Sequence, residues 1–388
     1  MKTYFADLHI HIGRTQSYRA VKITAANNLT LDNILIEASR NKGMDIIGII
    51  DCHSPEVLIE IENGIKDGRY EELEDGGVRY EQTTLLLGSE IEINDERCIA
   101  PIHTLVFMPS VEKMKQFSNW MSERLKNIHL SSQRIYESGL TLQRKVKELN
   151  GLFIPAHIFT PHKGLYGSGV KASLKEVFDP NLIDAVELGL SSDTKMASKI
   201  SELSRYPFLT NSDAHSLPRI GREYQKIILN EPTFKEFKLA LEQREGRYIE
   251  SNYGLNPLLG KYYLTTCAKC GAQADSQSSQ CLICQSKRFT KGVSNRLAEL
   301  ADQKDETKSR PPYIHQVPLS FIPGVGPKTL EKLKNHFGTE MNILHYVSVD
   351  ELKNVIPEKT AKLIQAAREG KLSLEAGGGG VYGKVTKE

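Results

Sequence analysis

Ionisable residues end one apolar run after another over the first 250 residues, and this restricts the fold more than any other feature of the chain. The stretch "YFADLHIHIGR" (4–14) places His9 and His11 two apart behind an aspartate. Side chains alternate faces along a strand, so His9 and His11 should share one face while Leu8 and Ile10 take the other. "IIGIIDCHSP" repeats the spacing with Asp51 and His53, and "LLLGSEIEI" sets Glu90 just past an apolar run. "APIHTLVFM" offers His103, "LFIPAHIFTP" offers His157, and "FLTNSDAHSLPR" ends with Asp213 and His215. Eight of the eleven histidines lie in these 250 residues, and six of the eight end or lie within apolar runs. Burying an unpaired charge is costly, so groups repeated in this way are expected to converge on one site.

Between the runs lie helical patterns at Leu31 to Asn41, Val111 to Ile128 and Thr141 to Asn150. Strand alternating with helix predicts an α/β fold with a largely parallel sheet, whose chemistry sits at the carboxyl edge. An open doubly wound sheet and a barrel both fit seven or eight such strands. At 388 residues, 39% hydrophobic and 25% charged, the chain has the size of two or three soluble domains with a sizeable core. It has no run of about 18 apolar residues and no signal-peptide pattern, which predicts a cytoplasmic protein without a membrane partner.

Mixed imidazole and carboxylate donors suit two or three divalent ions that share bridging carboxylates and activate water for attack on phosphate. The order HxH, DxH, glutamate, histidine, "PAH", "SDAH" resembles the PHP phosphoesterase family (polymerase and histidinol phosphatase) over about residues 1–250. That resemblance implies a distorted (β/α)7 barrel whose catalytic set is His9, His11, Asp51, His53, Glu90, His103, His157, Asp213 and His215. It further implies that His9, His11, Glu90 and Asp213 hold one ion and that Glu90 bridges to a second on His103 and His157. His53 and His215 match ligands of a third ion. Where the family often carries one more ligand after HxH, this chain reads "GRTQSYRA", so the count stands at two or three, as Zn, Mn, Fe or Mg. Asp51 is a ligand or orients His53. His129, in "NIHLSS", is read as a helix-surface residue.

The last third reads differently. "CAKCGAQADSQSSQCLIC" puts Cys267, Cys270, Cys281 and Cys284 at the spacing of two knuckles around one tetrahedral zinc, a structural zinc ribbon. Lys287, Arg288, Lys291 and Arg296 follow around Phe289 with no acid among them, a run suited to a phosphate backbone. "LSFIPGVGPKTLEKLKNHFG" is similar to a helix-hairpin-helix motif, in which Gly324 and Gly326 allow close backbone approach and Lys328 adds charge. A degenerate second copy follows in "IPEKTA". The resulting division is a barrel over 1–250, a linker over 251–263, the ribbon over 264–290, a charged connector over 291–318, an all-α hairpin domain over 319–374 and an unstructured tail over 375–388.

Residues 1–260 carry 31 basic against 35 acidic side chains, and 261–388 carry 19 against 13. A mildly acidic body with a basic appendage leans toward an anionic partner. A PHP body followed by a ribbon and a helix-hairpin-helix resembles the endonuclease Q family of DNA-repair nucleases over nearly the whole chain. The resemblance implies cleavage of the phosphodiester 5′ to hypoxanthine, uracil, xanthine or an abasic site, leaving 3′-hydroxyl and 5′-phosphate ends. The implied partner is duplex DNA with a damaged base, with single strands left open, bound by a nucleoid-associated monomer. A protein partner such as a sliding clamp does not follow from the residues. Base inspection calls for a flipped nucleotide, and "FTPHKGLYGSG" (159–169) is the candidate pocket wall. There the amides of Gly167, Ser168 and Gly169 are expected to face the ligand, with Lys163 and Arg14 reaching phosphate. Two other readings stay open. One is a PHP nuclease or phosphatase acting on 3′-end DNA or a phosphomonoester; the other is a DNA-binding scaffold with an inactive barrel.

Overall fold

The computed structural model describes residues 1–274, 279–303 and 310–372, together with the backbone of 374–375 and 384–385. Seven strands form a closed ring: β1 (Lys2–Ile10), β2 (Ile46–Ile49), β3 (Thr83–Ile93), β4 (Ile102–Met108), β5 (Leu152–Pro155), β6 (Val186–Glu187) and β7 (Phe208–Leu209). β1 pairs parallel to β2, and β2 parallel to β3. β4 is reversed, antiparallel to both β3 and β5. The Asp184 amide donates to the Phe153 carbonyl at 3.0 Å and links β5 to β6, which pairs parallel to β7. The ring closes after β7, where Ala214 bridges in parallel to Ile10 through bonds to the His9 carbonyl and the His11 amide. The fold is therefore α/β and a distorted barrel, not an open sheet.

Side chains from six of these strands fill the interior: Leu8, Ile46, Leu86, Leu105, Phe107, Ile154 and Leu209. Gly48 and Gly88 leave room for Phe107, since a Cβ at either would stand 2.8 Å from its ring. The expectation that Leu8 and Ile10 share a face is corrected here. Leu8 belongs to the interior cluster and Ile10 to the outer one, because the pairing register of β1 shifts between Asp7 and Ile10. Such a bulge re-aims the side chains that follow it.

Helices cover the outside. α1 (Leu31–Ile36) continues as a π-helical turn to Lys42 and stops at Gly43, whose φ of 76° favours glycine. α2 (Pro55–Lys66) buries Val57, Leu58 and Ile61. α3 (Val111–Ser122) is capped by Ser110 and buries Val111, Met114, Phe117 and Met121 on one stripe. The helical pattern expected as far as Ile128 ends at Ser122, so His129 lies in a turn, where its ring meets the Arg19 guanidinium at 2.9 Å. α4 (Gly139–Glu148) and the short α5 (Thr194–Ala197) complete this layer.

Beyond the ring, β8 (Tyr224–Leu229) pairs antiparallel to β1, and β9 (Tyr248–Gly254) antiparallel to β8, with α6 (Phe234–Leu241) between them. Residues 251–254, expected within a linker, are thus part of a sheet strand. The Cys-rich segment holds a two-strand hairpin, β10 (Thr266–Cys267) with β11 (Phe289–Thr290). The expected connector contains α7 (Val293–Leu300) and β12 (Tyr313–His315), which pairs parallel to β9; Val293, Leu297 and Val317 bury its apolar side. Helices α8 (Pro327–Phe337), α9 (Glu340–His345), α10 (Val349–Lys353) and α11 (Glu358–Arg368) follow. Of the tail, 376–383 and 386–388 lie outside the described residues, while Leu374–Glu375 pairs with Lys384–Val385. Among the described residues no helix is long and apolar enough to cross a membrane.

The helical end is docked on the body. Lys42 and Glu340 form a buried pair at 2.9 Å, and His345 stacks on Phe5 at 4.5 Å while facing the Tyr224 hydroxyl at 2.7 Å. Burial pushes the His345 imidazole down to about 3, so the ring is neutral; the Tyr224 hydroxyl spends its proton on Gln316, and His345 Nε2 donates to the Tyr224 oxygen. Removing one member of a buried pair strands the other, which costs about 3 kcal/mol. Glu340→Ala should therefore shift the urea midpoint of the helical circular-dichroism signal strongly, whereas Glu81→Ala, which breaks an exposed pair with Arg40, should leave it almost unchanged. Equal small shifts would show that the Lys42–Glu340 contact does not hold the helical end.

Candidate metal centre

The closed ring brings the ionisable strand ends to one rim. His9 sits in the bulge near the end of β1 and His11 just past that strand, Glu90 lies on β3, and His157 follows β5. Asp213 and His215 follow β7. Because β4 is reversed, its first residues, and not its last, reach this rim, which is how His103 arrives there. His157 and Asp213 both sit at positive φ, 30° and 47°, a conformation uncommon outside glycine. Surrounding bonds impose it. Gly189, whose Cβ would stand 2.9 Å from that of His157, and Glu187, which accepts the His157 amide at 2.8 Å, fix the first turn. Asp7 accepts the Ser212 amide at 3.0 Å and the Gly221 amide at 2.8 Å, which fixes the second. Strain held in this way is typical of sites where geometry matters more than local stability.

Glu90 stands at the centre and divides its two oxygens. Oε1 faces His103 Nδ1 at 2.9 Å, His157 Nε2 at 3.4 Å and His9 Nε2 at 3.5 Å. Oε2 faces Lys22 Nζ at 3.1 Å and His11 Nε2 at 3.6 Å, and accepts from Ser132 Oγ. Asp213 Oδ1 lies 3.4 Å from His9 Nε2, 3.6 Å from His11 Nε2 and 3.4 Å from His215 Nδ1. Behind these groups, Glu187 bonds His9 Nδ1 at 3.0 Å and accepts from Asn211 at 2.8 Å. Asp51 bonds His11 Nδ1 at 3.1 Å and accepts the Ile12 amide at 2.7 Å. Asp51 thus orients His11, not His53.

Burial works to raise the Glu90 carboxyl, yet His103 and Lys22 hold it well below the usual carboxylate range. Asp213 is likewise depressed against its burial, by His9 and His215. Burial lowers His9, but Glu187 and Asp213 override it and raise the ring well above its usual value. The rim is thus built for positive charge between anionic carboxylates.

The donor set fits divalent metal ions. His9 Nε2, His11 Nε2 and His157 Nδ1 are buried without a hydrogen-bond partner, while the other nitrogens of His9 and His11 are tied to carboxylates. A carboxylate behind a ligating histidine is the usual support of a metal-binding imidazole. Among the described residues, three imidazole and carboxylate groups have donor atoms all within 4.8 Å of one another: His9, His11 and Glu90; Glu90, His103 and His157; and His11, Asp213 and His215. The four cysteines form a fourth, with Cys267 and Cys284 sulfurs 3.5 Å apart and Cys270 and Cys281 sulfurs 3.6 Å apart. A tetrahedral zinc with bonds of about 2.3 Å needs sulfur edges of about 3.8 Å, close to these.

Several expected residues do not join the rim. His53 turns its Nδ1 to the Ser89 hydroxyl at 2.8 Å and its Nε2 to the Leu130 carbonyl at 3.3 Å. The amides of Gly167, Ser168 and Gly169 are spent on the Ile158 and Gly164 carbonyls within their own turn, so they offer nothing to a ligand. Arg14 bonds Asn27 and the Tyr18 carbonyl. Arg296 clasps the carbonyls of Tyr166, Val170 and Lys171, and Lys291 pairs with Glu299 at 2.7 Å. Lys287 and Arg288 are exposed on the cysteine segment. Gly324 has φ 92° and packs against Thr360, while Gly326 opens α8 with free space around it and Lys328 in the first turn.

A cavity of about 580 Å³ opens above the metal donors. Its floor includes Glu90, His103, His157 and Asp213, and its walls include Lys163, Arg219, Lys261 and Tyr262. Lys163 also pairs with Glu92. Sequence reasoning missed Glu187, Lys22 and Tyr262. Glu187 ends the apolar run "AVELGL", the same signal that marks Glu90, and could have been found by it.

No family model matches the chain. It is 64% identical over 385 residues to the uncharacterized protein YqxK of Bacillus subtilis (strain 168), covering 99% of this chain and all of that one. Over 253 residues it is 38% identical to the uncharacterized protein MJ0043 of Methanocaldococcus jannaschii, covering 59% of this chain and 31% of that one. Among solved structures, the lesion-specific endonuclease PfuEndoQ of Pyrococcus furiosus superposes with TM-score 0.86 at 30% identity, over 99% of this chain and 95% of that one. An Endonuclease Q complex with a 27-mer duplex carrying an abasic lesion at the active site superposes with TM-score 0.84 at 30% identity, over 99% and 96%.

Glu187→Gln keeps the shape but weakens the support of His9. Barrel metal affinity should fall about 10- to 100-fold in chelator competition, with the cysteine-bound zinc unchanged. Unaltered affinity would place Glu187 outside the centre's support.

Proposed function

The chain belongs to the endonuclease Q family and is a nuclease, and we propose that it nicks duplex DNA on the 5′ side of deaminated bases (hypoxanthine, uracil, xanthine) and of abasic sites, leaving 3′-hydroxyl and 5′-phosphate ends. One observation carries this reading. The metal-capable rim forms the floor of a cation-walled cavity, in a chain whose whole length follows that of an Endonuclease Q bound to an abasic-lesion duplex.

His9, His11 and Asp213 with Glu90 would hold one ion, and Glu90 with His103 and His157 a second. When bound, such ions activate water and neutralise the attacking and leaving oxygens of an in-line phosphoryl displacement. The remaining work falls to the chain. Asp51 and Glu187 fix the imidazoles of His11 and His9 so that their inner nitrogens face the rim. Lys163 and Arg219 on the cavity wall neutralise DNA phosphate, and Tyr262, set edge-on to His162 at 5.4 Å, offers a face for an extruded nucleotide. The open amide end of α8 at Gly326, with Lys328, grips backbone phosphate away from the lesion. The cysteine cluster would hold one structural zinc, and α7 joins that segment to the cavity through Arg296 and the Val293 amide, which donates to the Tyr262 carbonyl at 2.9 Å.

Purified protein with Mg or Mn is incubated with end-labelled duplexes that differ only at one central residue: hypoxanthine, uracil, abasic or normal. A single nick just 5′ of each altered residue is expected, lost by at least 1000-fold in Asp213→Ala, with no nick at the normal base. Progressive trimming from 3′ ends, or release of free phosphate, would move the function to another member of the phosphoesterase class.

A further inference from the structure

One cation at the barrel rim is part of the chain itself. The Lys22 amide donates to the Ile12 carbonyl at 2.9 Å, which starts this side chain next to His11. Its Nζ then lies 3.1 Å from Glu90 Oε2 and 2.5 Å from Ser132 Oγ, and the side chain is only 15% exposed. Lys22 also lines the cavity. It therefore stands between the central carboxylate and the place where substrate must approach.

The third donor group, His11, Asp213 and His215, is the one next in line for a divalent ion. One feature of the geometry weakens it. His53, the imidazole expected to complete a third position with His215, is turned away to Ser89 and the Leu130 carbonyl. Charge weighs in the same direction. Glu90 and Asp213 are the carboxylates that face the centre, because Asp51 is tied behind His11 and Glu187 behind His9. Two carboxylates can balance part of the charge of two dications. A third dication would add charge with no new anion and would face an ammonium held within bonding distance of the shared carboxylate.

We infer that Lys22 takes the place of a third divalent ion. The barrel holds two metals, and the lysine ammonium supplies the third positive centre, fixed on Glu90 Oε2 and presented to the scissile phosphate. The inference rests on the metal-dependent reading proposed above.

The test is metal counting on the full-length protein equilibrated with excess Mn, by inductively coupled plasma mass spectrometry, with the cysteine-site ion counted separately through its resistance to a mild chelator. Two ions per barrel are expected in the wild type and in Lys22→Arg, which keeps the charge. Three are expected in Lys22→Glu and Lys22→Ala, which remove it. Three ions in the wild-type barrel, or a count that stays at two in both charge-removing variants, overturns the role of Lys22 and leaves the metal centre standing. A barrel that takes up no ion overturns both. The wild-type count, followed to millimolar Mn by equilibrium dialysis, decides against the inference even if the variants do not fold, since uptake of a third ion would refute it.

Discussion

The structure turns on one carboxylate. Glu90 lies almost fully buried among His9, His11, His103, His157 and Lys22, and each of its oxygens faces a different part of that set. A lone buried carboxylate surrounded by imidazoles is expensive to maintain unless its neighbours carry positive charge. The imidazole nitrogens left without hydrogen-bond partners are the complementary cost. Both costs vanish together when divalent ions sit between the rings and the carboxylates, so the arrangement makes physical sense as a metal centre and poor sense as a structural core.

Four features of the barrel bring donors to Glu90. Closure through Ala214 brings the segment after β7 against the end of β1, so that Asp213 meets His9 and His11. Reversal of β4 lets a histidine at the start of a strand join groups from the ends of others. The bulge in β1 turns His9 and His11 toward the rim while Leu8 stays in the barrel interior. Asp7 and Glu187 then lock the two left-handed turns that carry Asp213 and His157. The helical end is held by a different device, a buried ion pair and an aromatic stack against β1, so the helical end and the metal-capable rim share one strand.

Residues that sit at fixed spacing on strands were legible in the chain itself. The alternation of apolar runs with helical patterns predicted an α/β body, and acids and histidines at run ends predicted a common rim. What escaped was decided by tertiary context. Whether an imidazole such as His53 points into the site or onto a neighbouring serine depends on a rotamer that spacing cannot fix. The glycine-rich stretch after His157 suggested free amides, but a tight turn spends them on its own carbonyls. Lys22 sits in an ordinary polar segment, and only the fold of residues 12–22 back onto Ile12 sends its ammonium to Glu90. The first residues of the stretch read as a linker, 251–254, turned out to continue a sheet strand, because Ile249 and Tyr253 on that strand had apolar surface to bury against β8 and the barrel.

The most direct test of the centre is anomalous diffraction from crystals of the full-length protein grown in manganese, recorded at the manganese edge. Two peaks are expected in the barrel, one on either side of Glu90: the first within bonding distance of His9, His11 and Asp213, the second of His103 and His157. An anomalous map without density at Glu90, in crystals whose cysteine site carries its ion, would contradict the view that the rim of this barrel exists to hold metal.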